Sequence, residues 1–254
     1  MVGAGSAGRG VGESTLNGSP LAPAAERPKL PPMKLPDEVG VMTLPNVTLF
    51  PQALLPLYIF EPRYRRMLAE SLASHRLFAV AMNRSQAGRE SPVPVAGLGL
   101  VRVSVEHQDG TSHLILQGLT RVKLAKAARY KPYRMHPIHA VETPPRAGAA
   151  EDRLLDRVRE LLDARLRCGR PLPVPFLPQA QDAHLPPNSA KEVFAFLNSI
   201  SDPEKAADMV SCAVLSSARE RQKILETADV ATRLKCLIQF LQRDLRKARE
   251  TNDE

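Results

Sequence analysis

The chain has 254 residues, 43% hydrophobic but only 4% aromatic, with no tryptophan and a formal net charge of +8. That length holds one large domain or two small ones, with a core built mainly from Leu, Val and Ala, and no apolar run approaches the roughly 20 residues a membrane helix needs. Cys168, Cys212 and Cys236 lie far apart without C-x-x-C spacing, which excludes a dense disulfide framework and fits a reducing, cytoplasmic setting.

Residues 1–37 are rich in Gly, Ala, Pro and Ser with no apolar period, and read as a disordered tail. Gly3-Ala4-Gly5-Ser6-Ala7-Gly8 matches G-x-G-x-x-G, but no strand precedes it, so it is not a dinucleotide fingerprint. Met33 stands just ahead of the ordered sequence and is an alternative start to Met1. From Pro36 onward the pattern predicts strands over Val41–Leu44 and Leu54–Phe60. A helix then enters at Glu61-Pro62 and runs to about Ser74, proline being suited to the first helical position because that N–H has no partner anyway. Tyr64, Met67, Leu68 and Leu72 give this helix an inward face, with Arg66 and Glu70 paired on the other side.

Leu77–Met82 reads as a buried strand and Asn83–Pro92 as a polar loop. Val95–His107 alternates as a long strand bent at Gly97 and Gly99, and Asp109-Gly110 is a tight hairpin turn. The partner strand is Ser112–Gln117. Gly118 is expected to redirect the chain into a separate Arg121–Ala125 strand, and Tyr133–Val141 is the last. Six or so strands and one helix in this span predict a small, partly closed β-barrel.

The period then changes to helical. Helices are predicted over Glu151–Arg167 and Ser189–Ile200, separated by the proline-rich connection Gly169–Pro187. Asp202-Pro203 opens the next helix, Ser217-Ala218-Arg219-Glu220 fits a capping box, and Asp229 caps a last helix with the stripe Val230, Leu234, Leu237, Ile238, Leu241 and Leu245. The class is α+β, with a β-rich part at 38–145 and a helical bundle at 146–250.

Little here points to chemistry. His107 and His113 flank the Asp109-Gly110 turn and are placed to face each other, while His136 and His139 point to opposite strand faces. Neither set has cysteine or carboxylate partners at ligand spacing, so no metal is expected. Cys168 adjoins a Gly-Pro loop and the other cysteines are mid-helix, which gives no Cys–His nucleophile. The pairs Glu151/Asp152 and Asp202/Glu204 sit at helix starts, where the macrodipole explains them. There is no G-x-x-x-x-G-K-[ST] phosphate loop. No catalytic residue and no cofactor are expected. The excess of Lys and Arg on the carboxy-terminal helices reads as a solvated face.

Two stretches carry a resemblance. LPNVTLFPQALLPLYIFEPRYRRML (44–68) pairs proline-broken strands with an F-E-P-R-Y-R-x-M helix start, and SDPEKAADMVSCAVLSSARERQKILETADVATRLKCLIQFLQRDL (201–245) carries R-Q-K-I-L-E-T-x-D-V-x-x-R-L. Together they resemble the amino-terminal, substrate-binding domain of the Lon proteases over roughly residues 38–245. The resemblance implies a PUA-like β-barrel subdomain followed by helices, the two forming one domain that engages polypeptides. Full proteases of this kind continue into an ATPase and a Ser-Lys peptidase. With no phosphate loop and no room after Leu245, the expectation for this chain is a stand-alone, non-enzymatic recognition module, an adaptor in protein quality control binding unfolded or partner polypeptides. Two contact surfaces are expected: Phe60, Glu61, Pro62, Arg63 and Tyr64, where strand meets helix, and Leu172, Val174, Phe176 and Leu177 in the proline-rich connection. Against the second, these residues also suit a plug between the two halves. RNA binding is the alternative function, since PUA-like barrels occur in RNA-modification proteins and the chain is basic, but aromatics for base stacking are sparse.

Overall fold

The computed structural model describes residues 35–84, 90–145, 148–169, 172–173 and 187–252, and Pro36–Glu254 groups as one unit by its contacts. The tail, with its glycine motif and Met33, lies outside the described residues except for Leu35–Asp37. The strands are β1 (Glu38–Leu44), β2 (Leu54–Ile59), β3 (Leu77–Met82), β4 (Val95–Glu106), β5 (Ser112–Leu124) and β6 (Arg134–Ala140), with α1 (Pro62–Leu72) between β2 and β3. They form one sheet in the order β2-β5-β4-β3-β1-β6, and β6 also pairs with β5. That last pairing closes β5, β4, β3, β1 and β6 into a ring and leaves β2 outside it, on the free end of β5.

The structure departs from expectation at Gly118. Gly118 does not end a strand; β5 runs unbroken from Ser112 to Leu124. Its first half pairs with β2 and its last residues with β6. The glycine serves a close approach instead. A Cβ there would lie 1.9 Å from the Phe50 carbonyl oxygen, and one on Gly97 would lie 2.0 Å from that of Leu49. The segment before β2 thus lies directly on β4 and β5. It is pinned by the Gln52 N–H donating to Gly118 O at 2.7 Å and the Gly118 N–H donating to Ala53 O at 2.9 Å.

Among the described residues five helices follow: α2 (Ala149–Arg167), α3 (Pro187–Ser199), α4 (Pro203–Val214), α5 (Ala218–Glu226) and α6 (Val230–Asn252). Asp202 and Asp229 cap as expected, accepting from the Glu204 N–H at 3.0 Å and the Thr232 N–H at 2.7 Å. The Ser217 box is only half made. Ser217 accepts from the Glu220 N–H at 3.5 Å, while the Glu220 carboxylate turns to Arg243.

Two apolar clusters result. Met42, Leu49, Leu55, Ile59, Tyr64, Met67, Phe78, Val101 and Leu116 fill the barrel. Leu155, Val158, Leu162, Phe194, Val210, Ile224, Leu234, Leu237 and Leu241 fill the helical part, together with Phe50 and Ala53 from the segment before β2. Consecutive residues, Leu49 and Phe50, thus serve opposite cores. Polar ties reinforce the junction. The Arg221 guanidinium donates to Asn46 O and the Gln222 amide to Val95 O, both at 2.9 Å. Arg121 on β5 is paired with Asp208 on α4, which also takes Arg233 of α6 at 3.1 Å.

Candidate functional site

The expected contact at residues 60–64 divides in the structure. Phe60 is 59% exposed and Pro62 is exposed at the start of α1, whereas Tyr64 is only 4% exposed and belongs to the barrel core. Its hydroxyl accepts from the Thr43 N–H at 3.2 Å and donates to Glu90 Oε1 at 3.2 Å. Burial pushes this phenol up to about 12, so it stays a donor across the ordinary pH range. Tyr64 is therefore a support and not a contact. Glu61 and Arg63 pair with each other at 2.8 Å, and Arg63 also reaches Glu90 at 2.5 Å.

Glu90 gathers Arg63, Tyr64 and, at 3.6 Å, Arg134. Burial pushes its carboxyl up, but hydrogen bonding and the Arg63 charge more than offset that, and the net shift is downward. A carboxylate lowered by folding contributes stability above its unfolded value, near 4.3 for glutamate, and that contribution is lost as pH falls through the folded value. Glu90→Gln is accordingly expected to flatten part of the fall in melting temperature between about pH 5 and pH 3. Parallel acid titrations of the two proteins would show unchanged slopes if the cluster is idle.

The second expected surface also changes. Leu172 is 2% exposed and packs in the helical cluster, which takes it off the accessible surface. Val174, Phe176 and Leu177 lie outside the described residues.

A larger apolar surface stands beside Phe60. Leu54, Tyr58, Phe60, Val103 and Val105 are each between 48% and 59% exposed. Register explains why they share a face. Tyr58 lies opposite His113, which lies opposite Val105, and Pro56 lies opposite Ile115, which lies opposite Val103. Phe60, Tyr58 and His113 stack in a row, with centroids 5.8 and 4.7 Å apart.

Of these five residues the sequence pattern pointed to Phe60 alone, and the two on β4 were hidden for a physical reason. Simple alternation puts Val103 and Val105 with the buried Val101. A register shift between Val101 and Val103 makes Arg102 the extra residue and turns the two valines outward. The β2 half carries a signal that was there to be read. Leu54-Leu55-Pro56-Leu57-Tyr58-Ile59 is apolar at every position, and a strand covered on one face only should alternate with polar residues.

The edge of β2 away from β5 has no partner strand among the described residues. Because the Gly118 N–H bonds Ala53 O, alternation points the backbone groups of Leu54, Pro56 and Tyr58 toward that open edge. Proline, without an N–H, blunts the middle of it.

Among the described residues no three or more His, Cys, Asp or Glu gather as metal ligands. His136 is buried, its Nδ1 2.8 Å from Ala125 O, and His139 is exposed on the opposite face. Cys168 is exposed, while burial pushes the Cys212 thiol up to about 12. No described helix is long and apolar enough to cross a membrane.

Comparison with known proteins places this geometry. The family model for the ATP-dependent protease La (LON) substrate-binding domain matches residues 38–243. Lon protease of Desulfosudis oleivorans is 25% identical over 217 residues, covering 84% of this chain and 24% of its own length. Lon protease of Syntrophus aciditrophicus is 26% identical over 210 residues, 80% of this chain and 24% of the relative. The chain thus spans about a quarter of the curated relatives it matches. Among solved structures, the N-terminal domain of the Mycobacterium avium complex Lon protease superposes with a TM-score of 0.61 at 19% identity, covering 81% of this chain and 98% of that one. The Lon N-terminal domain protein from Xanthomonas campestris gives 0.52 at 15% identity, covering 80% and 98%. At those identities the likeness is one of fold.

Proposed function

The chain belongs to the Lon protease substrate-binding domain family, and on that premise we propose that it is a non-catalytic module that holds exposed apolar segments of other polypeptides. The observation that carries this reading is the outer face of β2, β5 and β4, where Leu54, Tyr58, Phe60, Val103 and Val105 stand in water. A contiguous apolar surface of this kind on a folded protein marks an interaction site. Tyr58 and Phe60, stacked on each other, supply large contact areas at little entropic cost. Side chains laid onto this face, rather than a full added strand, form the contact, because Pro56 interrupts any ladder along the open edge.

The non-catalytic part of the proposal rests on what the polar clusters do. Arg121, Asp208 and Arg233 tie strand to helices, and Glu90 ties α1 to β6. Each has a structural task. The proposed setting is the cytoplasm, with an adaptor role in protein quality control. Its support is the family and the three free thiols.

A double substitution, Tyr58→Ser with Val105→Asp, is expected to weaken binding of a permanently unfolded, alkylated model polypeptide at least tenfold, about 1.4 kcal/mol. Melting temperature should hold, since both sites are surface positions. Fluorescence anisotropy at fixed salt reads it; equal affinity for variant and wild type removes the face from the proposal. Phe176→Ala, measured alongside, reports separately on the 174–177 segment.

A further inference from the structure

Apart from the stacking of His113 on Tyr58, His107 and His113 take no part in the contacts described above, yet the fold brings them together. His107 Nε2 lies 2.7 Å from His113 Nδ1, and both side chains are exposed at the tip of the β4–β5 hairpin. We propose that they form a two-imidazole site for a divalent transition metal, of the Zn2+, Ni2+ or Cu2+ class.

The tip is held rather than loose. The Gly110 N–H donates to His107 O at 2.9 Å and the His107 N–H to Thr111 O at 2.8 Å. Gly110 has φ 75°, which suits glycine, and any Cβ there would meet the Arg65 guanidinium, so α1 braces the turn from below. Asp109 Oδ1 accepts from both the Thr111 N–H and hydroxyl, at 2.9 and 2.7 Å. His113 is fixed from the other side by stacking on Tyr58.

Two imidazole nitrogens this close share one proton. A metal about 2.0–2.1 Å from each, at a tetrahedral angle, needs them about 3.3 Å apart, so a small opening of the pair admits it. In the neutral pair the bridging proton moves, by way of solvent, to the far nitrogen of the ring that carries it. Each ring then ends with one N–H on the far side, at His107 Nδ1 and His113 Nε2, and both facing lone pairs are free. Water completes the shell. Neutral imidazole suits Zn2+, Ni2+ and Cu2+, while Mg2+ and Ca2+ need oxygen donors. Of the charged groups at the tip, the Asp109 carboxylate, held in place by the Thr111 N–H and hydroxyl, favours a cation. Arg65 opposes it, and Glu106, exposed on β4, adds a second negative charge nearby.

Ni2+ alone is the probe, because it prefers imidazole and is not drawn to the free thiols as Zn2+ is. Calorimetric titration of the whole chain is expected to show one equivalent bound, with His107→Gln and His113→Gln each weakening it at least tenfold and His139→Gln leaving it unchanged. Mg2+ should give no heat. In wild-type protein, substoichiometric Ni2+ should broaden the Cε1–H signals of His107 and His113 together and before those of the other histidines, a readout that needs no variant to fold. Unchanged affinity in either hairpin variant, equal loss in His139→Gln, or broadening that begins at another histidine overturns the site.

Discussion

Replacing Asp208 with alanine is expected to lower stability by about 3–5 kcal/mol, the usual cost of stranding buried charges. Arg121 is 3% exposed and Arg233 is fully buried, and the Asp208 carboxylate lies between them. Burial pushes that carboxyl up, and the two guanidiniums pull it back toward the ionised form. Glu204 stands at 3.5 Å from Arg233 but is 39% exposed, so it screens the arginines only from one side. Backbone carbonyls do the rest. Arg121 donates to Leu225 O at 3.1 Å, and Arg233 donates to Thr227 O at 3.0 Å and Ala228 O at 2.9 Å. At about 2–4 °C per kcal/mol for a unit of this size, the melting temperature should fall by about 6–20 °C. Arg121→Met, Asp208→Leu and Arg233→Met made together should cost less than Asp208→Ala alone, because removing every charge leaves none unpaired. Calorimetry on the two proteins decides it. A single variant within about 1 kcal/mol of wild type would mean that water already reaches the pair.

Helical periodicity and turn chemistry carried most of the fold. The stripe Val230, Leu234, Leu237, Leu241 and Leu245 is buried along α6, and Asp202, Asp229 and Gly110 do what their residue types predict. What stayed hidden depends on pairings between distant residues. Arg121 and Asp208 are 87 positions apart, and no local pattern marks an arginine in a strand as the partner of an aspartate in a helix. Gly97 and Gly118 read as bends, since a residue that is small to admit another backbone looks the same in sequence as one that is small to turn. The candidate face was half legible. The all-apolar β2 shows a surface with no core to cover it, but Val103 and Val105 reach that surface only through a register shift that alternation cannot reveal. Tyr64 failed as a contact for the opposite reason: it stands four residues from the exposed Phe60, yet α1 turns it inward to hold Thr43 and Glu90.

Gly118→Ala is expected to cost about 3 kcal/mol or more, although Gly118 lies inside a strand, beside a register shift at Leu119, and shows no left-handed backbone that only glycine tolerates. The added methyl would meet the Phe50 carbonyl oxygen at 1.9 Å and its carbon at 2.8 Å, and a backbone cannot rotate away as a side chain can. Relief requires lifting the segment that precedes β2. That breaks the two hydrogen bonds between Gly118 and residues 52–53, each worth about 1 kcal/mol. It also draws Leu49 and Phe50, both fully buried, out of two different cores. Gly97→Ala meets the Leu49 carbonyl at 2.0 Å and should behave alike. Gly99→Ala is the milder comparison, because its methyl would meet the Leu116 side chain, with Cγ at 2.5 Å, and a side chain can shift by rotation where a carbonyl cannot. Urea unfolding of the three variants should therefore rank Gly118 and Gly97 well below Gly99 in stability. Since Leu49 and Phe50 join barrel to helices, the first two should also separate the unfolding of β4, read by hydrogen exchange, from that of α6. Equal costs at all three glycines would show that the segment yields easily, and would leave Arg121, Arg221 and Gln222 as the principal links between the halves.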